Sequence, residues 1–133
     1  MSGFLDTSMV VRYLTGDPPD LAERSARVID GEKNLKVTDV VLAESAYVLT
    51  SVYRVPRATV GHHLIAFLQK KNISPFNLGK DLAIEALLLC RESGRVSFAD
   101  AMIWAAARSV ADKVVYSLDE RFPTDSIEVR RGP

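Results

Sequence analysis

A single cysteine, Cys90, is all that the 133-residue chain contains. An internal disulfide is therefore excluded, as is any cysteine-based zinc cluster. Its setting in LAIEALLLC suits a small buried hydrophobe. Histidine is scarce as well. His62 and His63 stand side by side, where a helix would turn their side chains apart rather than onto one metal. Net charge is absent, with 17 basic against 17 acidic residues. No global field therefore draws the chain to nucleic acid or to an anionic membrane, although local basic patches stay open. No stretch approaches the roughly 18 uncharged apolar residues of a membrane span. The opening MSGFLDTSMVV lacks the basic start and long apolar core of a secretory leader. A cytoplasmic protein without membrane contact is the expectation. No repeat, low-complexity tract or linker divides the chain, and its length suits a single domain over residues 1–133.

What is present is alternation. GFLD (3–6) is a short apolar run that ends on an acid, and TSMVVRYLTG (7–16) carries helical spacing up to Gly16. PPDLAERSARVIDG (18–31) has proline near its start and Gly31 after its expected end. LKVT (35–38) reads as a strand, with Asp39 placed to cap the next helix. VVLAESAYVLTSVYR (40–54) and PRATVGHHLIAFLQKK (56–71) read as consecutive helices. NISPFNL (72–78) holds room for a short strand, GKDLAIEALLLCRES (79–93) is helical, and Ser97 can cap a helix through about Asp112. VVYSL (114–118) and SIEV (126–129) close the chain as strands. Strands alternating with helices predict an α/β fold with a mostly parallel sheet. The helix pair in the middle departs from strict βαβ order. In such folds sites form beyond the carboxyl ends of strands, which directs attention to Asp6 and Asp119.

Four acids stand in apolar company. Asp6 ends GFLD, where it can also start a turn or cap a helix. Asp119 ends VVYSLD, a place where solvated loop acids are common. Glu44 is the only charged residue between Asp39 and Arg54. Its helical neighbours Val40, Val41, Tyr47 and Val48 predict a buried stripe, where a lone carboxylate is costly unless paired or coordinated. Asp100 sits inside VSFADAMIWAAA. Ser97 to Asp100 also fits a capping box, with the helix dipole favouring the acid. Ile103, Trp104 and Ala107 would place the Asp100 carboxylate at the rim of a buried face.

Gathered together, four carboxylates would repel one another, and desolvation would add to the cost. Protonation relieves that strain, but a hard divalent cation relieves it better, because oxygen ligands suit Mg²⁺ or Mn²⁺. A cation held in this way, with several waters retained, is suited to phosphodiester cleavage.

LDTS (5–8), the lone Glu of VVLAESAYVL (40–49), FADAMIWAAA (98–107) and SLDERF (117–122) together resemble the PIN-domain ribonucleases. Among these the likeness is to the VapC-like toxins of type II toxin–antitoxin systems, and it runs from Phe4 to about Phe122. The resemblance implies a three-layer α/β/α PIN-like domain whose central, mostly parallel sheet is flanked by helices. It implies Mg²⁺- or Mn²⁺-dependent endoribonuclease activity, with Asp6, Glu44, Asp100 and Asp119 as the catalytic and metal-holding acids. Ser8 and Ser117 would support them by hydrogen bonding. A homodimer, an RNA substrate and a cognate antitoxin whose tail blocks the acidic pocket are implied by the same likeness. Some relatives carry a further acid after the last one; here Glu120 stands there, followed by Arg121.

RNA binding needs cations. Arg12, Arg54, Arg57, Arg91, Arg95, Arg108 and Arg121 are candidates, and each also fits a solvated surface. Tyr13, Phe67 and Trp104 fall at helical apolar spacing and read as core or dimer interface before base-stacking platforms. Among other classes, a receiver-type Mg²⁺-binding signalling domain would need an acidic pair after the first strand and a late lysine, which Asp6 and SLDERF do not supply. A haloacid-dehalogenase-type phosphatase would need a second Asp where Ser8 stands. A non-catalytic α/β interaction module, including an inactive PIN-like domain, remains the alternative of a different class.

Overall fold

A computed structural model describes residues 2–133. Strands and helices alternate along the chain as β1 (Ser2–Phe4), α1 (Thr7–Thr15), α2 (Pro19–Gly31), β2 (Asn34–Val37), α3 (Asp39–Ser51) and α4 (Arg57–Leu68). They continue as β3 (Ile73–Pro75), α5 (Lys80–Glu92), α6 (Phe98–Arg108), β4 (Val114–Tyr116) and β5 (Glu128–Arg130). Strands β1, β2 and β3 form one three-stranded parallel sheet in that order, and β4 pairs in parallel with β5 in a second sheet. Helices flank the strands in a three-layer α/β/α arrangement, which leaves Phe4 of β1 and Lys36 of β2 uncovered. Among the described residues, no helix is long and apolar enough to cross a membrane.

The elements end where local chemistry stops them. Gly16 adopts the left-handed conformation, at φ 71°, and its N–H donates to the Arg12 carbonyl at 2.9 Å. That closes α1 in the position glycine fills best. The cap of α3 is Thr38 rather than the expected Asp39. Thr38 is extended, and its hydroxyl accepts the Val41 N–H at 3.2 Å. Asp39 falls one residue later, inside the first turn, and its carboxylate accepts from the Val40 N–H at 2.8 Å. Helix α3 stops short of the expected Arg54, a residue that itself lies at φ 56°. Helix α6 likewise ends at Arg108, not near Asp112. The Lys113 ammonium donates to the carbonyls of Arg108 and Val110, which have no helical partner there.

One apolar core joins the layers. Leu35 and Val37 of β2 alternate inward beside Ile73 of β3, and Leu42, Leu49, Val60, Leu64, Leu68 and Leu87 close over them from the helices. Each fully buried aliphatic side chain of this kind contributes roughly 1.5–3 kcal/mol. The α4–α5 contact is close at Gly61: a Cβ there would stand 3.1 Å from the Arg91 Cβ, which would have to give way slightly. The Asn72 amide donates to the carbonyls of Ile29 (2.7 Å) and Glu32 (2.9 Å), tying the end of α2 to the entry of β3. Tyr13 and Lys70 both bond to Asp30, which holds that carboxyl below the usual carboxylate range.

Cys90 is buried, and desolvation pushes its thiol up to about 11, so it stays a neutral packing group. Phe67 and Trp104 are core residues, and the Trp104 indole N–H donates to the Asp125 carbonyl at 2.7 Å. The imidazoles of His62 and His63 do not diverge: their ring centroids lie 5.7 Å apart, on exposed positions.

Candidate active site

Asp6 follows the last ladder contact of β1, in which the Leu5 N–H donates to the Lys36 carbonyl at 2.9 Å. Asp6 occupies the N-cap position of α1 with extended backbone, yet its side chain makes no capping bond. Its carboxylate is exposed and accepts instead from the Ser8 hydroxyl at 3.0 Å. Capping is therefore not what occupies this acid. Ser8, the expected supporting residue, does hydrogen-bond to Asp6.

Glu44 corrects the expectation drawn from its neighbours. It is exposed, and so are Val40 (69%) and Tyr47 (67%), which share its side of α3. The buried stripe is instead Leu42, Ser45, Ala46 and Leu49. The helix is apolar on both sides, so spacing alone could not choose between them. What fixes Glu44 is Thr7, whose hydroxyl donates to Oε1 of the carboxylate. Thr7 is only 8% exposed, so a nearly buried donor at the start of α1 joins Glu44 to the turn that presents Asp6. Sequence reasoning misses Thr7; its one signal is its position between Asp6 and Ser8.

Asp100 lies half-buried in the first turn of α6. Ser97 caps the helix, its hydroxyl accepting the Asp100 N–H at 3.0 Å. Asp100 thus serves the cap through its backbone. Among the described residues no reciprocal bond from the Ser97 N–H to the Asp100 carboxylate occurs, so only half of the capping box forms. Phe98, Met102 and Trp104 are buried and pin the helix, while Ile103 stands half in solvent. Asp100 stands at the rim, but Ile103, expected on the buried face beside it, lies on the outer side, so Trp104 bounds that face instead.

Asp119 is exposed, three residues beyond the end of β4. Its backbone N–H donates to the Ser117 hydroxyl at 3.1 Å. Its carboxylate accepts the Arg121 N–H at 2.9 Å, and the Arg121 guanidinium lies 3.7 Å away. Ser117, the second supporting residue expected, touches Asp119 through the main chain.

A cavity of about 240 Å³ runs between α3 and α6, lined by residues that include Tyr47, Arg57, Ser97 and Phe98. Its lining includes Ala43 and Ala99, the neighbours in sequence of Glu44 and Asp100, but neither acid itself. Of the arginines, Arg57 is committed to structure: its Nε donates to the Cys90 carbonyl at 3.0 Å, and its guanidinium lies 5.0 Å from the Phe98 ring centroid. Arg108 is likewise held by Glu85 and stacked over Trp104. Arg91 pairs with Glu92. Among the described residues Arg12, Arg54 and Arg95 make no ion pair.

Over residues 3–124 the sequence matches the PIN domain family. The chain belongs to that family. No significant match to a curated protein accompanies it. PIN domains are typically metal-dependent nucleases that act on nucleic acid. The donor chemistry here fits a hard divalent cation, since all four acids offer carboxylate oxygens and the set holds no thiolate or imidazole. As the side chains stand, no group of three or more His, Cys, Asp or Glu residues among the described residues is placed to hold a metal ion. Fit therefore rests on donor type and on the Thr7–Glu44 link, not on a closed coordination shell.

Proposed function

We propose that residues 1–133 form a single PIN domain acting as a metal-dependent endoribonuclease, the toxin of a toxin–antitoxin pair. The observation that carries this reading is the link from Thr7 to Glu44, which joins an α3 carboxylate to the β1–α1 turn bearing an uncapped, exposed Asp6. Asp6, Glu44, Asp100 and Asp119 would hold Mg²⁺ or Mn²⁺. Such an ion lowers the pKa of a bound water and neutralises charge developing on the phosphate.

The chain's own residues perform the positioning. Ser8 orients the Asp6 carboxylate, and Thr7 restrains Glu44 from a nearly buried site. Ser97 fixes the first turn of α6 and so the origin of the Asp100 side chain. Asp119 is shared with Arg121 and would exchange that contact for the cation. Glu120 is exposed beside it and is not needed to complete four carboxylates. The exposed apolar side chains of Val40, Tyr47 and Ile103 flank Glu44 and Asp100. They support a protein partner at this rim, as an antitoxin or a homodimer mate would be, in a cytoplasmic setting.

The test is cleavage of RNA by the purified protein with Mg²⁺ or Mn²⁺, set against EDTA and against Asp6→Asn and Asp100→Asn. Cleavage lost in EDTA and reduced at least about a hundredfold by either substitution is the expected result. Activity that survives EDTA, or both substitutions, overturns the mechanism.

A further inference from the structure

Three strands of the first sheet set their side chains in register, and one row of that register is open to solvent. Phe4, Lys36 and Ser74 are paired across β1, β2 and β3. The adjacent rows, Leu35 with Ile73 and Val37 with Pro75, are buried. Because side chains alternate along a strand, the Phe4–Lys36–Ser74 row points away from the core. Phe4 is 61% exposed, Lys36 is exposed, and Asn34 lies exposed one step behind it on the same face. Phe76 follows buried Pro75, so it returns to the open side, where it is 43% exposed. The rings of Phe4 and Phe76 meet edge to face with centroids 5.1 Å apart. Since β2 runs between their strands, the two rings meet above it.

The chemistry of this row is specific. Two aromatic rings stand in solvent, where burial would ordinarily favour them. They are accompanied by a lysine that makes no ion pair among the described residues and reaches only the Ser74 hydroxyl, at 3.4 Å. A protein partner of helical type would want a long apolar stripe, whereas here the single pair of rings is bordered by Asn34, Lys36 and Ser74. Rings with a free cation on an open sheet suit unpaired bases and their phosphates. The row also leads somewhere. Asp6 follows Phe4 by two residues through extended backbone, at φ −86° and ψ 160°, with buried Leu5 between. Asp6 therefore leaves the strand on the same side as Phe4.

We propose that this open row is a platform for single-stranded RNA, with bases against Phe4 and Phe76 and a phosphate on Lys36, which delivers the strand to the carboxylates beginning at Asp6. The proposal rests on the endoribonuclease reading for its destination but not for its contacts.

The experiment measures binding of fluorescein-labelled oligouridylate by anisotropy in EDTA, where metal-dependent cleavage is silent. Phe4→Leu and Phe76→Leu keep apolar bulk and remove the aromatic face; Phe4→Tyr and Phe76→Tyr keep it. The expected result is a dissociation constant raised about fivefold or more by each leucine, and unchanged within about twofold by each tyrosine. Lys36→Gln should weaken binding and lower the slope of log affinity against log salt by about one contact's worth. Duplex RNA should compete poorly. Leucine variants that bind oligouridylate as the parent does, while folding normally by circular dichroism, overturn the proposal, as does equal competition by duplex RNA. The two readings fail separately. Cleavage with no effect of the leucines removes the platform alone. Leucine-sensitive binding without any cleavage keeps the platform and removes the nuclease.

Discussion

Asp6 and Asp119 each follow a parallel strand, and each carboxylate takes a bond from a residue two places on, Ser8 or Arg121, yet among the described residues only the turn bearing Asp6 carries a long-range tie to another of the acids. Asp6 leaves the three-stranded sheet beside Thr7, which reaches across 37 residues to Glu44. Asp119 leaves the two-stranded sheet, and among the described residues its carboxylate is bonded only by Arg121, two residues further on. The first arrangement exists only when α1 and α3 are packed. The second is a turn that its own loop can form. One end of the acid set is therefore fixed by tertiary structure and the other by local chain geometry, and substitutions at the two ends should differ accordingly.

The largest effect on stability should come from the long-range tie. Thr7→Val keeps shape and removes the nearly buried donor to Glu44. A hydrogen bond to a charged group is worth about 1.5–3 kcal/mol, and exposure of Glu44 to water puts this one at about 1–1.5 kcal/mol. Urea unfolding measures it, with an unchanged slope expected. The cap of α6 comes next. Ser97→Ala should cost about 1 kcal/mol in the same assay, because the Asp100 N–H then loses its acceptor.

At the other end, Arg121→Ala should change stability by no more than about 0.5 kcal/mol, as exposed pairs do. A loss at Arg121 as large as that at Thr7 would erase the distinction between the two ends. The smallest effect is expected at Asp100. Asp100→Asn retains the backbone N–H that serves the cap and, among the described residues, breaks no bond made by the carboxylate, so without metal it should melt no lower than the parent. A clear drop in melting temperature would assign the carboxylate to the helix rather than to the site.

Much of this architecture is legible in the sequence, for physical reasons that vary by element. The strand and helix alternation, the stop of α1 at Gly16 and the cap at Ser97 are written in local chemistry, and the structure follows them. The side of α3 that carries Glu44 is not legible. Val40 and Tyr47 are as apolar as Leu42 and Leu49, so periodicity cannot say which pair faces the core; packing against α1 and α6 decides. Thr7 escapes for a related reason. Its value lies in a partner 37 residues away, which no local pattern encodes. The early ends of α3 and α6 depend on groups beyond the periodic segment, the Val55 N–H on the Leu49 carbonyl and the Lys113 ammonium on those of Arg108 and Val110, and those are visible only once the chain turns.

The central claim is that the separately held acids serve one cation. Calorimetric titration of the purified protein with Mn²⁺ tests it most directly, with Asp6→Asn and Asp119→Asn as paired variants. Saturable Mn²⁺ binding by the parent, weakened at least about tenfold in both variants, is the predicted result. Binding that is absent in the parent, or that persists unchanged in either variant, would contradict it.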